Sequence, residues 1–230
     1  MPVISRAART LTSALAFALV APAILAQEIK SILPAPPRAE GEGPWKRLIL
    51  RGATLVDGTG APPIGPVDII VEGNRIKDVK NVGAPGAPID ESKRPKAEPG
   101  DHEIDLRGHY VLPGFVDLHG HMGGYEQGTP AEYVLKLWMG HGITTSCDPG
   151  SGNGLDFMVD HKKKSEANQI TAPRLKPYVT FAQGVKEPII RPEEARVFVQ
   201  DVARRGADGL KFFGLRPDLM AAAIDEAKKL

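Results

Sequence analysis

The spacing of apolar residues changes character once along the chain, near residue 110. Before that point apolar and polar residues alternate in short runs, the period of half-buried strands. Residues 47–56 form the first run and are followed by Asp57-Gly58-Thr59-Gly60, a turn signature. Residues 67–71, the turn Glu72-Gly73-Asn74 and residues 75–79 read as a hairpin, because Gly-Asn supplies the positive φ that a tight turn needs. A Pro- and Gly-rich stretch with clustered charge, residues 81–100, is expected to be a solvated surface loop inserted into this β region. Alternation returns at 102–106. These runs predict a small domain of short antiparallel strands.

From Tyr110 the pattern becomes strand, helix, strand, helix, which predicts parallel βα units. The string from Tyr110 to Met122 reads as a buried strand ending in His119-Gly120-His121. A helix follows to about residue 140, with Thr129 as cap, Pro130 at its first position and an inward face of Tyr133, Val134, Leu137 and Trp138. Further strands are expected over 142–147, 174–181 and 209–214, with helices over 155–164, 192–205 and 217–230. The helix at 192–205 is the clearest: Ala195, Val199 and Val202 share one face, and Glu193 and Glu194 sit at its positive end.

Composition narrows the function. With 42% hydrophobic residues in 230, the chain can bury a core, and 29 basic against 28 acidic side chains create no field that would recruit nucleic acid. The ligand expected is therefore a small molecule. Arg6 and Arg9 precede an apolar run over 11–25 and the small residues Ala21, Ala23 and Ala26, the layout of a secretory signal peptide over 1–26. A membrane anchor is the rival reading, but Pro22 interrupts the run, which is shorter than the roughly 20 residues a span requires. Cleavage would remove Arg6 and Arg9, leaving 27 basic against 28 acidic residues, and would place the protein in the periplasm or outside the cell. A proline-rich linker over 27–46 follows. Cys147 is the single cysteine, so an exported chain would have no internal disulfide.

The candidate chemistry sits at residues 117–121. In a strand, Asp117, His119 and His121 would project to one face, where two imidazoles can chelate a zinc-like ion and Asp117 can orient one of them. Tyr125 and Glu126, in the loop that follows, could line a substrate pocket. Cys147 and Asp148 end the second barrel-type strand and could sit near a bound metal, although a buried thiol and a loop cap are the plainer readings. His102, His109, His141 and His161 read as surface residues. Gly150, Gly152 and Gly154 are followed by no Lys-Ser/Thr pair, which argues against a phosphate loop.

Several motifs occur together and in order: Leu55-Val56-Asp57-Gly58-Thr59-Gly60, Val71-Glu72-Gly73-Asn74-Arg75-Ile76, Pro113-Gly114-Phe115-Val116-Asp117-Leu118-His119-Gly120-His121, Gly142-Ile143-Thr144-Thr145 and Gly206-Ala207-Asp208-Gly209-Leu210-Lys211. With them the chain resembles the N-terminal half of a metal-dependent hydrolase of the amidohydrolase superfamily. The resemblance implies an α/β fold, the N-terminal part of a (β/α)8 TIM-type barrel preceded by a small β-sandwich domain (47–109), with the barrel beginning at 110. A whole barrel takes about 250 residues and roughly 120 follow Tyr110, enough for about four βα units, so the sequence reads as the first part of a longer chain, inactive by itself.

The resemblance further implies that His119 and His121 bind the more buried of two divalent metals, as zinc, and that Lys211 is carboxylated on its side-chain nitrogen and bridges them. A hydroxide between the metals would attack a carbonyl carbon attached to nitrogen. The proton-shuttling aspartate would lie beyond residue 230. Within the superfamily a dipeptidase cleaving before proline is one expectation. The alternatives are a one-metal relative (imidazolonepropionase-like, or a deaminase) with Lys211 unmodified, and a non-catalytic exported binding domain on the same scaffold. The partner expected is a small-molecule or dipeptide-like substrate, without nucleic acid or, after processing, membrane. A homo-oligomer of the full-length protein is an open alternative.

Overall fold

A computed structural model describes residues 43–230. The expected signal peptide and most of the linker lie outside these residues. Among the described residues no helix is long and apolar enough to cross a membrane.

Strands β1 (Arg47–Leu55), β2 (Ile64–Glu72) and β3 (Arg75–Asn81) pair antiparallel in order, with the β2–β3 turn at Gly73-Asn74, where Gly73 has φ of 56°. Ala53, Val67 and Ile69 form the buried centre of this sheet. Strands β4 (His102–Asp105) and β5 (Tyr110–Val111) pair with β1 as well, but parallel to it, so the expectation of a wholly antiparallel domain is corrected. The long segment 82–101 makes this possible, because it lets the chain return to β1 in the same direction.

Most of that segment is exposed, as its composition suggests, but it is anchored to the sheet at a few points. Val82 is fully buried, and Asp68 on β2 is buried beneath the segment. The Asp68 carboxylate accepts hydrogen bonds from Arg51 Nη1 at 2.9 Å, Arg94 Nε at 3.1 Å and the Gly52 backbone N–H at 2.8 Å. Arg51 also donates to the Pro95 carbonyl at 2.8 Å. Burial pushes the Asp68 carboxyl up, but the hydrogen bonds from Arg94, Arg51 and Gly52 outweigh it and hold the group below the usual carboxylate range. A charge so placed is tolerable only because it is paired several times over.

The expected strand from Tyr110 to Met122 is divided. Tyr110 and Val111 belong to the first sheet, and β6 (Phe115–Asp117) opens the second, so the boundary falls at 112–114 and not at 110. Pro113 has no N–H to give a ladder, and Gly114 lies so close to Thr144 that a Cβ would stand 2.0 Å from its Oγ1. Nor is β6 buried: it lies at the edge of its sheet, and its Phe115 and Val116 are exposed, as is Leu118 just after it.

The second sheet has four parallel strands in the order β6, β7 (Ile143–Pro149), β8 (Arg174–Thr180) and β9 (Gly209–Lys211). Helices α1 (Ala131–Gly140), α2 (Leu155–Glu166) and α3 (Pro192–Arg204) connect them, and α4 (Pro217–Ala227) follows. Leu175 and Val179 alternate on β8 and meet Met158, Phe198, Val199 and Val202 of the helices in one core. The sheet and its helices are the parallel βα units that the pattern predicts, curled into the half-barrel that the resemblance implies.

Candidate metal centre

Because β6 to β9 are parallel neighbours, their C-terminal ends emerge at a single edge of the sheet, where barrel enzymes assemble their sites. His119 and His121 lie there, just past the end of β6 rather than within it. Asp117 accepts the His119 backbone N–H at 2.9 Å, which turns the chain out of the strand. Gly120 then donates its N–H to the Cys147 carbonyl at 3.0 Å. A side chain at Gly120 would collide with Trp138 at 2.7 Å and Ser146 at 2.9 Å. With the backbone pinned between them, the two imidazoles face each other edge to face, 5.4 Å apart at their centroids and 83° in plane.

The carboxylate that orients a ring is Asp148, at the end of β7. Its Oδ1 lies 3.1 Å from His121 Nδ1, and its Oδ2 accepts the Met122 N–H at 3.1 Å. Asp148 is 1% exposed, and this burial pushes its carboxyl up, although the Met122 N–H and His121 favour the charged form. With Nδ1–H directed at the carboxylate, Nε2 of His121 keeps its lone pair for a ligand. The role expected of Asp117 is corrected accordingly: its carboxylate holds the turn through backbone and no ring. Asp148 was legible only as the last polar residue of an otherwise buried strand end, which is where a barrel presents functional groups.

Lys211 ends β9, opposite Thr180. Leu210 and Phe212 on either side pack against the helical core, so Lys211 projects to the other face, as alternation requires. Its Nζ sits 4.7 Å from the centroid of the Phe213 ring. Three inter-strand steps of about 4.8 Å, on the order of 14 Å along the sheet, separate β9 from β6, so only the curl of the sheet draws Lys211 toward the histidines. Among the described residues no three His, Cys, Asp or Glu side chains make a metal cluster.

The remaining candidates separate clearly. Tyr125 is 69% exposed, on a 3-10 turn (Tyr125–Gln127) between Gly124 and Gly128. Cys147 is buried, and burial raises its thiol. His141 is exposed and bonds back to the Leu137 carbonyl at 2.7 Å. His161 corrects the expectation of a surface residue: it lies inward on α2, its ring 4.3 Å from that of Phe157 and its Nδ1 2.9 Å from the Phe157 carbonyl. Position i+3 from Met158 places it on the apolar face. Two adjacent imidazoles, one of them backed by a buried carboxylate, fit a divalent cation that takes nitrogen ligands.

No protein-family model matches the chain. Among curated proteins, it is 29% identical over 192 residues to the N-acyl-D-aspartate deacylase of Alcaligenes xylosoxydans xylosoxydans, covering 78% of this chain and 34% of that one. It is 28% identical over 145 residues to the dihydroorotase of Thermoanaerobacter sp. (strain X514), covering 61% of this chain and 30% of that one. These relatives are members of the amidohydrolase superfamily, which the chain therefore resembles in sequence. Among solved structures, a prolidase complexed with N-methylphosphonate-L-proline superimposes with a TM-score of 0.61 at 19% identity, over 80% of this chain and 54% of that one. That likeness shows the fold alone, a partial (β/α) barrel for the parallel sheet. The chain spans about a third of the length of these curated relatives.

Proposed function

We propose that residues 43–230 carry the first half-barrel of a metal-dependent hydrolase that cleaves carbon–nitrogen bonds of amide or peptide type. The observation that supports this most is the pair His119 and His121 at the strand-end edge, with buried Asp148 on the Nδ1 of His121. In this reading His119 and His121 hold a zinc-like ion, and Lys211 supplies an oxygen ligand to a second once its neutral amine has added carbon dioxide and released a proton. A divalent cation bound there supplies a Lewis acid for a carbonyl oxygen and makes water acidic enough to attack at neutral pH. The chain's own residues do the rest. Asp148 keeps His121 in the ligand tautomer, Asp117 sets the turn that aims His119, and Tyr125 offers an aromatic surface at the rim. Net, water is added across the C–N bond to give a carboxylic acid and an amine.

The names of the relatives suggest the substrate class, an N-acyl amino acid or a dipeptide. Export to the periplasm or beyond is part of the proposal and rests on the N-terminal sequence pattern. A one-metal version, with Lys211 left as an ammonium, is favoured by the packing of its Nζ over Phe213.

The test uses the full-length protein with N-acetyl-D-aspartate and alanyl-proline as probes. The proposal expects hydrolysis of at least one, loss of it on chelation, recovery with zinc, and none in His121→Ala. Hydrolysis that survives chelation and His121→Ala would refute it, as would no hydrolysis of either probe by the zinc-loaded protein.

A further inference from the structure

Two strand-end loops are tied together by one side-chain amide and a third is joined to them by another, and the loop that the first amide holds contributes nothing to the core. The loop after β6 is closed at its base by the Gly124 N–H donating to the Thr129 carbonyl at 2.7 Å. Between these residues Tyr125, Glu126 and Gln127 are all exposed, and none of the turn is buried. Hydrophobic burial therefore does not account for its order. Asn153, from the loop after β7, does. Its Nδ2 donates to the Gly123 carbonyl at 2.8 Å and to Ser151 Oγ at 2.9 Å, and its Oδ1 accepts the Glu126 N–H at 3.2 Å.

Both amide protons and one acceptor are thus used, a set that neither a carboxylate nor a hydroxyl can reproduce. The clamp is braced from behind. Ser151 is buried, and its carbonyl accepts Gln183 Nε2 from the loop after β8 at 2.7 Å. The backbone is shaped to receive Asn153: Gly124 has φ of 101°, and a Cβ there would stand 2.6 Å from Asn153 Nδ2.

We propose that Asn153 is a positioning residue that holds the Tyr125 loop as a preformed rim of the substrate cleft. This rests on the hydrolase reading above and deepens it: the apolar or planar part of an amide substrate meets a Tyr125 already in place, so binding does not have to order the loop. Asn153 touches no reacting atom. Its removal weakens substrate binding and leaves the chemical step alone.

The experiment compares full-length wild type, Asn153→Ala, the near-isosteric Asn153→Asp and Tyr125→Ala by hydrogen exchange and by kinetics with alanyl-proline and N-acetyl-D-aspartate. In Asn153→Ala, exchange over residues 123–129 should quicken at least about tenfold while α1 and α2 are unchanged. KM for the hydrolysed probe should rise roughly tenfold with kcat held within about threefold. Asn153→Asp keeps the acceptor for Glu126 and should fall between. Tyr125→Ala should raise KM without altering exchange. Unchanged exchange in both Asn153 variants overturns the clamp, and quickened exchange with unchanged KM overturns its role at the rim. If wild type hydrolyses neither probe, the hydrolase reading fails, while exchange still decides the clamp.

Discussion

Asp148 carries a carboxylate that burial alone would tend to neutralise, and two partners keep it engaged, His121 Nδ1 and the Met122 N–H. Replacing it by alanine frees the imidazole to rotate and to take either tautomer. The expected cost is about tenfold to a hundredfold in zinc affinity of the full-length protein, measured by competition with a chelating dye, with Asp148→Asn less affected. An unchanged affinity would mean that His121 is oriented by something else. The sequence points to Asp117 instead because alternation sets 117, 119 and 121 on one face. That rule ends with the strand, and β6 stops at Asp117. Beyond it, direction is set by contacts of Gly120 with Trp138 and Ser146, which are remote in sequence.

Among the elements, the hairpin of β2 and β3 and helix α3 were legible because their causes are local: a Gly-Asn turn and an apolar stripe. Segment 82–101 was legible as a surface loop, but its anchoring on Asp68 was not, since a charged, proline-rich stretch has the same composition whether or not something buried waits for it. The overlooked sign is Asp68, a lone carboxylate inside the apolar run of β2. Removing it would strand Arg51 and Arg94 beside a buried space, so Asp68→Ala should lose about 3–5 kcal/mol in denaturant unfolding. The pH dependence has a definite sign. The folded-state pKa of Asp68 is lowered, so its contribution is complete above the unfolded carboxylate value of 3.8 and is lost as pH falls through the folded value. The stability gap between wild type and Asp68→Asn should therefore be constant near neutrality and narrow in acid below that point. A gap that widens in acid would show that Asp68 is not held as a carboxylate.

At the scale of the described residues, the switch from period-two runs to strand–helix alternation foretold two sheets of different construction, and the structure has a mixed sheet followed by a parallel one. What the pattern could not give is the division of residues 110–122 between those sheets. Pro113 and Gly114 interrupt one apolar string whose two ends serve different ladders. The placement of Lys211 was legible from Leu210 and Phe212 beside it. Its contact with Phe213 was not, because that ring follows the strand. The proposed metal chemistry comes down to these few side chains at one sheet edge. The most direct measurement is anomalous diffraction at the zinc edge from crystals of the full-length protein. A peak is expected at zinc-bonding distance, about 2.0–2.1 Å, from nitrogens of both His119 and His121, with Asp148 on the Nδ1 of His121. A zinc peak bound elsewhere, or none in zinc-saturated crystals with the two imidazoles still edge to face, would contradict the proposal.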